Sequence, residues 1–121
     1  MPHFYLKGVY MFEITGITDT DIRITRGDTA FLSVELFDDS GKYDLKTGDK
    51  LELSAKKSIK DASYAIHITA SNNAVFTFKP SDTTNLEYGS YVYDIQLTLS
   101  NGDIFTVIPL SHIVICEEVT Q

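Results

Sequence analysis

The residues most able to do chemistry are few and scattered. Three histidines, His3, His67 and His112, stand far apart, and Cys116 is the single cysteine. One thiol permits no intrachain disulfide and no cysteine-based zinc site. A nucleophilic thiol needs a base within hydrogen-bonding reach. His112 lies four residues before Cys116, on the same face of a strand but too far along it to touch. Ile113, Val114 and Ile115 intervene, so Cys116 reads as a small buried hydrophobe near the last strand. No Ser-His-acid set follows from spacing, and the glycines sit singly at turns, not in a phosphate-binding loop. The sequence therefore predicts no catalytic residue, no cofactor and no enzyme.

Three carboxylates, Asp38, Asp39 and Asp44, share one loop region. Calcium prefers several oxygen ligands, but this spacing matches no defined calcium loop. Asp and Ser before Gly41 are turn chemistry, and no metal site is expected. Arg26-Gly27-Asp28 spells a tripeptide of integrin ligands, yet between two strands it reads as a turn. Tyr88, Tyr91 and Tyr93 lie close together, with Tyr43 and Tyr64 elsewhere. Tyr91 and Tyr93 share the core face of a strand. Tyr43, Tyr64 and Tyr88, with Asp38 and Asp39, remain as candidate interaction residues. Aromatic side chains anchor interfaces or stack on sugars.

What must position these groups is a small domain. A chain of 121 residues is expected to form one domain and to bury enough surface without a staple. Hydrophobic residues make up 43% and charged residues 22%, which argues against disorder. Seven Tyr and seven Phe, with abundant Thr, Ile and Val, favour strands. The net charge of -7 without a basic cluster argues against direct nucleic-acid binding. It keeps the protein in solution and suits a basic partner. No stretch has the length of a transmembrane helix, and Met1 to Tyr10 lacks the apolar run and cleavage site of a signal peptide. Synthesis in the host cytoplasm without a signal peptide, and no membrane partner, are the expectations. Met11 offers an alternative start. Residues 1–20 read as an N-terminal arm or first edge segment, and residues 21–121 as the domain.

Along the chain, short runs of period two alternate with turn residues, and no helix-length segment carries a 3.6-residue apolar period. Asp21 to Arg26 places Ile22 and Ile24 on one face. Ala30, Leu32, Val34 and Leu36 form another such face, then Asp38-Asp39-Ser40-Gly41 turns the chain. Leu51, Leu53 and Ala55 mark a strand, Lys56 to Ser63 an exposed connection, and Ala65 to Thr69 a further strand. Ser71-Asn72-Asn73 predicts a turn with Asn73 left-handed. Ala74, Phe76 and Phe78 follow, then a short helical turn near residues 81–86 with Ser81 as its cap and Leu86 beneath it. Tyr91 to Leu99 is the longest alternating run. Asn101-Gly102 predicts a type I′ hairpin. Ile104 to Ile108 pairs back, Pro109 marks an edge, kink or bulge, and Ile113 to Val119 makes a last strand. About seven or eight short strands imply a sandwich or barrel. A tyrosine opening a late strand after a corner, Tyr91, favours the all-β immunoglobulin-like antiparallel sandwich.

Two stretches carry a family resemblance. The first is Ile22-Arg23-Ile24-Thr25-Arg26-Gly27-Asp28-Thr29, the Leu32/Val34/Leu36 strand, Asp39-Ser40-Gly41 and Tyr43-Asp44-Leu45. The second is Phe76-Thr77-Phe78, Pro80-Ser81-Asp82-Thr83, Leu86, Gly89, Tyr91-Val92-Tyr93-Asp94-Ile95-Gln96 and Asn101-Gly102-Asp103. Together, from about Asp21 to Thr120, they resemble the immunoglobulin-like N-terminal domain of phage tail baseplate upper proteins, from phages and prophages of Gram-positive bacteria. The resemblance implies a virion structural protein that joins other tail or baseplate proteins, as a homo-oligomer and without catalytic residues. Two other functions fit the residues. A small acidic phage protein can inhibit a basic host protein, such as a nucleic-acid-binding or defence protein, and surface tyrosines can make a carbohydrate-binding sandwich.

Overall fold

Period-two alternation dominates the fold. The structure, a computed structural model, describes residues 5–12 and 21–119. His3, Thr120 and residues 13–20 of the expected N-terminal arm or first edge segment lie outside the described residues. Among the described residues, nine strands and one helical turn follow in the order β1 (Tyr5–Phe12), β2 (Ile22–Thr25), β3 (Ala30–Asp38), β4 (Gly41–Tyr43), β5 (Lys50–Lys56), β6 (Ile66–Thr69), β7 (Val75–Phe78), α1 (Pro80–Thr83), β8 (Gly89–Thr98) and β9 (Ile104–Cys116).

They form the two sheets of an immunoglobulin-like sandwich. In one, β3 is flanked by β1 on one side and by β7 and β4 on the other. In the other the order is β2-β9-β8-β5-β6. Every pairing is antiparallel except β2 with β9, which is parallel with Ile22 opposite Ile113. The chain pairs first with β3 as β1 and then crosses to the second sheet as β2.

Alternation decides which side chains meet between the sheets. Leu32, Phe76 and Phe78 from one sheet and Leu53, Ile95 and Leu97 from the other are fully buried. Burying such a side chain contributes about 1.5–3 kcal/mol. Tyr91 and Tyr93 join this core, as their strand period requires. Tyr91 also makes the tyrosine corner. Its hydroxyl donates to the Glu87 carbonyl at 2.8 Å, tying the start of β8 to the loop before it.

Several local details depart from the sequence expectations. The turn after β6 has its left-handed residue at Ala74 (φ 61), not Asn73. Ala74 N–H donates to Ser71 O at 2.9 Å and Ser71 N–H to Val75 O at 2.9 Å. Asn72 and Asn73 thus fill the centre of a type I turn, and the left-handed bulge position falls one residue later. The turn after β8 repeats this design. Gly102 N–H donates to Leu99 O and Leu99 N–H to Asp103 O, and Gly102 has φ 96 while Asn101 stays at negative φ. The hairpin is therefore a type I turn with a glycine bulge, not type I′.

Ser81 does not cap α1. Pro80 opens the turn, and the Asp82 carboxylate accepts the Lys79 N–H at 2.7 Å. Leu86 does pack against the core. Pro109 does not divide two strands, because β9 runs through it on a bulge. Cys116 is half-buried, not buried. Ile113 and Ile115 take the inward positions, so alternation turns Cys116 outward.

Candidate functional site

The candidate residues fall in three places. The first is the corner beside the Arg26-Gly27-Asp28 turn. Arg26 donates to Glu118 Oε1 at 2.9 Å and to the Leu86 carbonyl at 3.3 Å, and its guanidinium lies 4.1 Å from the Tyr88 ring centre. Tyr88 OH reaches the same Glu118 oxygen at 3.5 Å. Gly27 has φ 84, and its N–H donates to Thr83 Oγ1 at 2.8 Å, a hydroxyl buried under α1. The hydrogen bond to Glu118 holds the Arg26 guanidinium charged against the opposing desolvation. Arg26, Gly27, Tyr88 and Glu118 are tied to one another or to partners within the chain, and the Asp28 N–H closes the turn on Thr25 O at 3.2 Å, so the tripeptide is a turn that fastens the fold.

The second place is the β3–β4 hairpin. Asp38 Oδ1 accepts the Ser40 N–H at 2.8 Å and Asp39 stands exposed in the turn. Tyr43 OH donates to Asp49 Oδ2, which also accepts the Lys46 N–H at 2.9 Å, while Asp49 Oδ1 accepts the Ser100 N–H at 3.2 Å. Burial and the bond to Asp49 raise the Tyr43 hydroxyl to about 12. Burial works against the Asp49 carboxylate, but these three donors together hold it below its ordinary value. The ladder sets these groups as local turn fasteners. Among the described residues no group of three or more His, Cys, Asp or Glu is arranged to hold a metal ion.

The third place, around Tyr64, differs. Tyr64 precedes β6 and stands over the outer face of the five-stranded sheet, 55% exposed. Its ring stacks on His67 at 4.9 Å, with the Lys56 ammonium 5.4 Å from its centre. Beneath it runs a polar relay that spacing alone did not disclose. In the Nε2–H tautomer, His67 donates to Glu52 Oε2 at 3.0 Å and its Nδ1 accepts the Ser54 hydroxyl at 3.0 Å. Ser54 and His67 are direct cross-strand partners, and Glu52 is two residues before Ser54 on the same face. The connectivity is that of a hydrolytic triad, with the ring nitrogens exchanged. Acyl transfer also needs free donors for the developing oxyanion. Ser54 lies mid-strand between β6 and β8, where the backbone amides belong to the two ladders. The relay therefore positions His67 as the platform on which Tyr64 stacks.

Beside this platform the sheet face holds a cleft of about 230 Å³, lined by Lys56, Ile59, Tyr64, Val92, Asp94 and Leu110, among others. Ile59 is 67% and Leu110 53% exposed. Leu110 is there because of the β9 bulge. Tyr93 is opposite Ser111 while Ile95 is opposite Ile108, so Pro109 and Leu110 together face Asp94. A bulge re-aims side chains in this way. The Asp94 carboxyl is raised above its ordinary value by burial alone. Lys56, the nearby cation, donates instead to the Asp61 carbonyl at 2.8 Å in the β5–β6 loop.

Sequence reasoning named Tyr64 but missed its neighbours. The Glu52/Ser54 pair has a readable i, i+2 signal, but its pairing with His67 depends on the β5–β6 register. Asp94 stood inside the longest alternating run, on its outward face. The three candidate tyrosines share no common platform.

No family model matches the chain, and no curated protein matches it. Among solved structures it is similar to CopC from Methylosinus trichosporium OB3b, at 12% identity and a TM-score of 0.47, over 98% of this chain and 99% of that one.

Proposed function

We propose that this chain is a non-enzymatic protein–protein interaction module of a phage or prophage tail baseplate, and that the outer face of the five-stranded sheet carries the interaction. The observation behind the interface is the grouping of three exposed apolar side chains, Ile59, Tyr64 and Leu110, around one cleft on this sheet face. Interfaces have this anatomy: a few exposed aromatic and aliphatic anchors, desolvated at the centre and rimmed by polar groups. The tail assignment is supported by the residues and spacing that resemble baseplate upper-protein domains. A homo-oligomer is the expected state.

The test is reconstitution with the tail proteins of a phage or prophage that encodes this chain. Light scattering of the purified protein, alone and with each of them, should show a defined oligomer or complex. Leu110→Glu should weaken it at least tenfold while circular dichroism stays unchanged. A protein that remains monomeric and binds none of these proteins would end the proposal.

A further inference from the structure

We infer that the cleft beside Asp94 receives an arginine side chain of a protein partner, with the Asp94 carboxylate as its counter-charge and Tyr64 and Leu110 as its walls. This deepens the interface reading above and rests on it.

Four observations converge. The first is size. A cleft of about 230 Å³ lies below the roughly 300–1,000 Å³ of cofactor and drug-sized pockets. It suits one side chain. The second is charge. Asp94 lies in the floor of β8 with burial opposing its ionisation and no donor offsetting that cost. A carboxylate in such a place gains from a cation brought to it.

The third is that two of the chain's own groups beside Asp94, the Lys56 ammonium and the Ser54 hydroxyl, are committed elsewhere. Lys56 Nζ is bonded to Asp61 O and stands over Tyr64. The Ser54 hydroxyl, whose residue is the cross-strand partner of Asp94, is given to His67. These commitments leave the Asp94 carboxylate as an open anionic acceptor in the cleft. The fourth is the apolar wall. Ile59, Tyr64, Val92 and Leu110 offer a surface for an aliphatic stem and a ring face for a planar guanidinium. An ammonium matches the carboxylate as a point charge only, whereas a guanidinium can also stack and bond in a fork. The net charge of -7 adds long-range attraction for a basic partner.

The probe is acetyl-Ala-Arg-Ala-amide, titrated into the full ¹⁵N-labelled chain and followed by amide chemical shifts. Its lysine and norleucine counterparts serve as controls. Shifts should centre on Ser54, Val92, Asp94, Gln96 and Leu110, with dissociation in the millimolar range. The lysine peptide should bind several-fold more weakly and the norleucine peptide at least tenfold more weakly. Asp94→Asn, nearly isosteric, should lose about tenfold. Leu110→Lys, which sets an ammonium beside Asp94, should abolish binding.

Equal binding of the norleucine peptide, wild-type affinity in Asp94→Asn, or shifts centred on another face would overturn the inference. Because the probe contains no tail protein, such a failure leaves the baseplate reading standing. Arginine binding without tail assembly would instead retain the cleft and reject that partner.

Discussion

Two regions of this molecule pair aromatic rings with charged groups, and they treat them in opposite ways. At the Arg26 corner, guanidinium, carboxylate, phenol and backbone carbonyl are bonded to one another, and the adjoining Gly27 N–H finds the buried Thr83 hydroxyl. At the Tyr64 cleft, the relay beneath the ring is complete, but Asp94 beside it carries an uncompensated desolvation cost. Both look alike in composition. A closed set of partners fastens the fold, whereas an open acceptor among exposed apolar groups is a place for something else to bind. Natural proteins give up stability at functional sites in this way.

The contrast is broken most directly at Thr83. Thr83→Val keeps the shape and removes the acceptor of the Gly27 N–H. Leaving a donor unpaired there should cost about 1–3 kcal/mol in urea unfolding. Tyr91→Phe removes the bond to Glu87 O and nothing from the core, so the expected loss is about 0.5–1.5 kcal/mol. At the cleft, Tyr64→Ala should change stability by no more than about 0.5 kcal/mol while abolishing partner binding. A loss there as large as that of Thr83→Val would make Tyr64 a fastener like Arg26 and erase the distinction.

Faces were legible in the sequence where a strand has one wet side. The alternation of Leu32, Val34 and Leu36, and of Tyr91, Tyr93 and Ile95, assigns the core directly, and all six are buried. The Tyr91 corner was legible because it joins residues four apart. Turn existence was also legible, but turn type was not. Both Ser71–Val75 and Leu99–Asp103 place the left-handed residue last in a three-residue loop. In one that residue is glycine, and in the other an alanine whose side chain is held in the core. A tertiary demand for a buried methyl group outweighed the local preference of Asn73. The site was less legible still. Glu52, Ser54 and His67 meet through strand register, and Asp94 meets Leu110 through a bulge. Neither is written in local pattern; Pro109 is the single residue that announces the bulge.

The smallest expected effect is also the sharpest discriminator, because two carboxylates should respond to acid with opposite signs. Asp49 belongs to a closed set, and its folded pKa lies below the ordinary value of 3.8. Its contribution is fully present above about pH 4 and is lost as pH falls through the depressed pKa. Asp94 is open, and its folded pKa lies above that value. Its ionised form therefore costs stability at neutral pH. That cost fades as pH falls through the raised pKa and is gone below the ordinary value. Asp49→Asn should then unfold at lower urea than wild type at pH 7. Asp94→Asn should match or slightly exceed wild type at pH 7, with the gap closing toward pH 4. Saturating arginine peptide should reverse the Asp94→Asn gap at pH 7, since a bound cation turns the desolvated carboxylate from a cost into a partner. An Asp94→Asn stability curve below wild type at neutral pH without peptide would place Asp94 in a closed network after all.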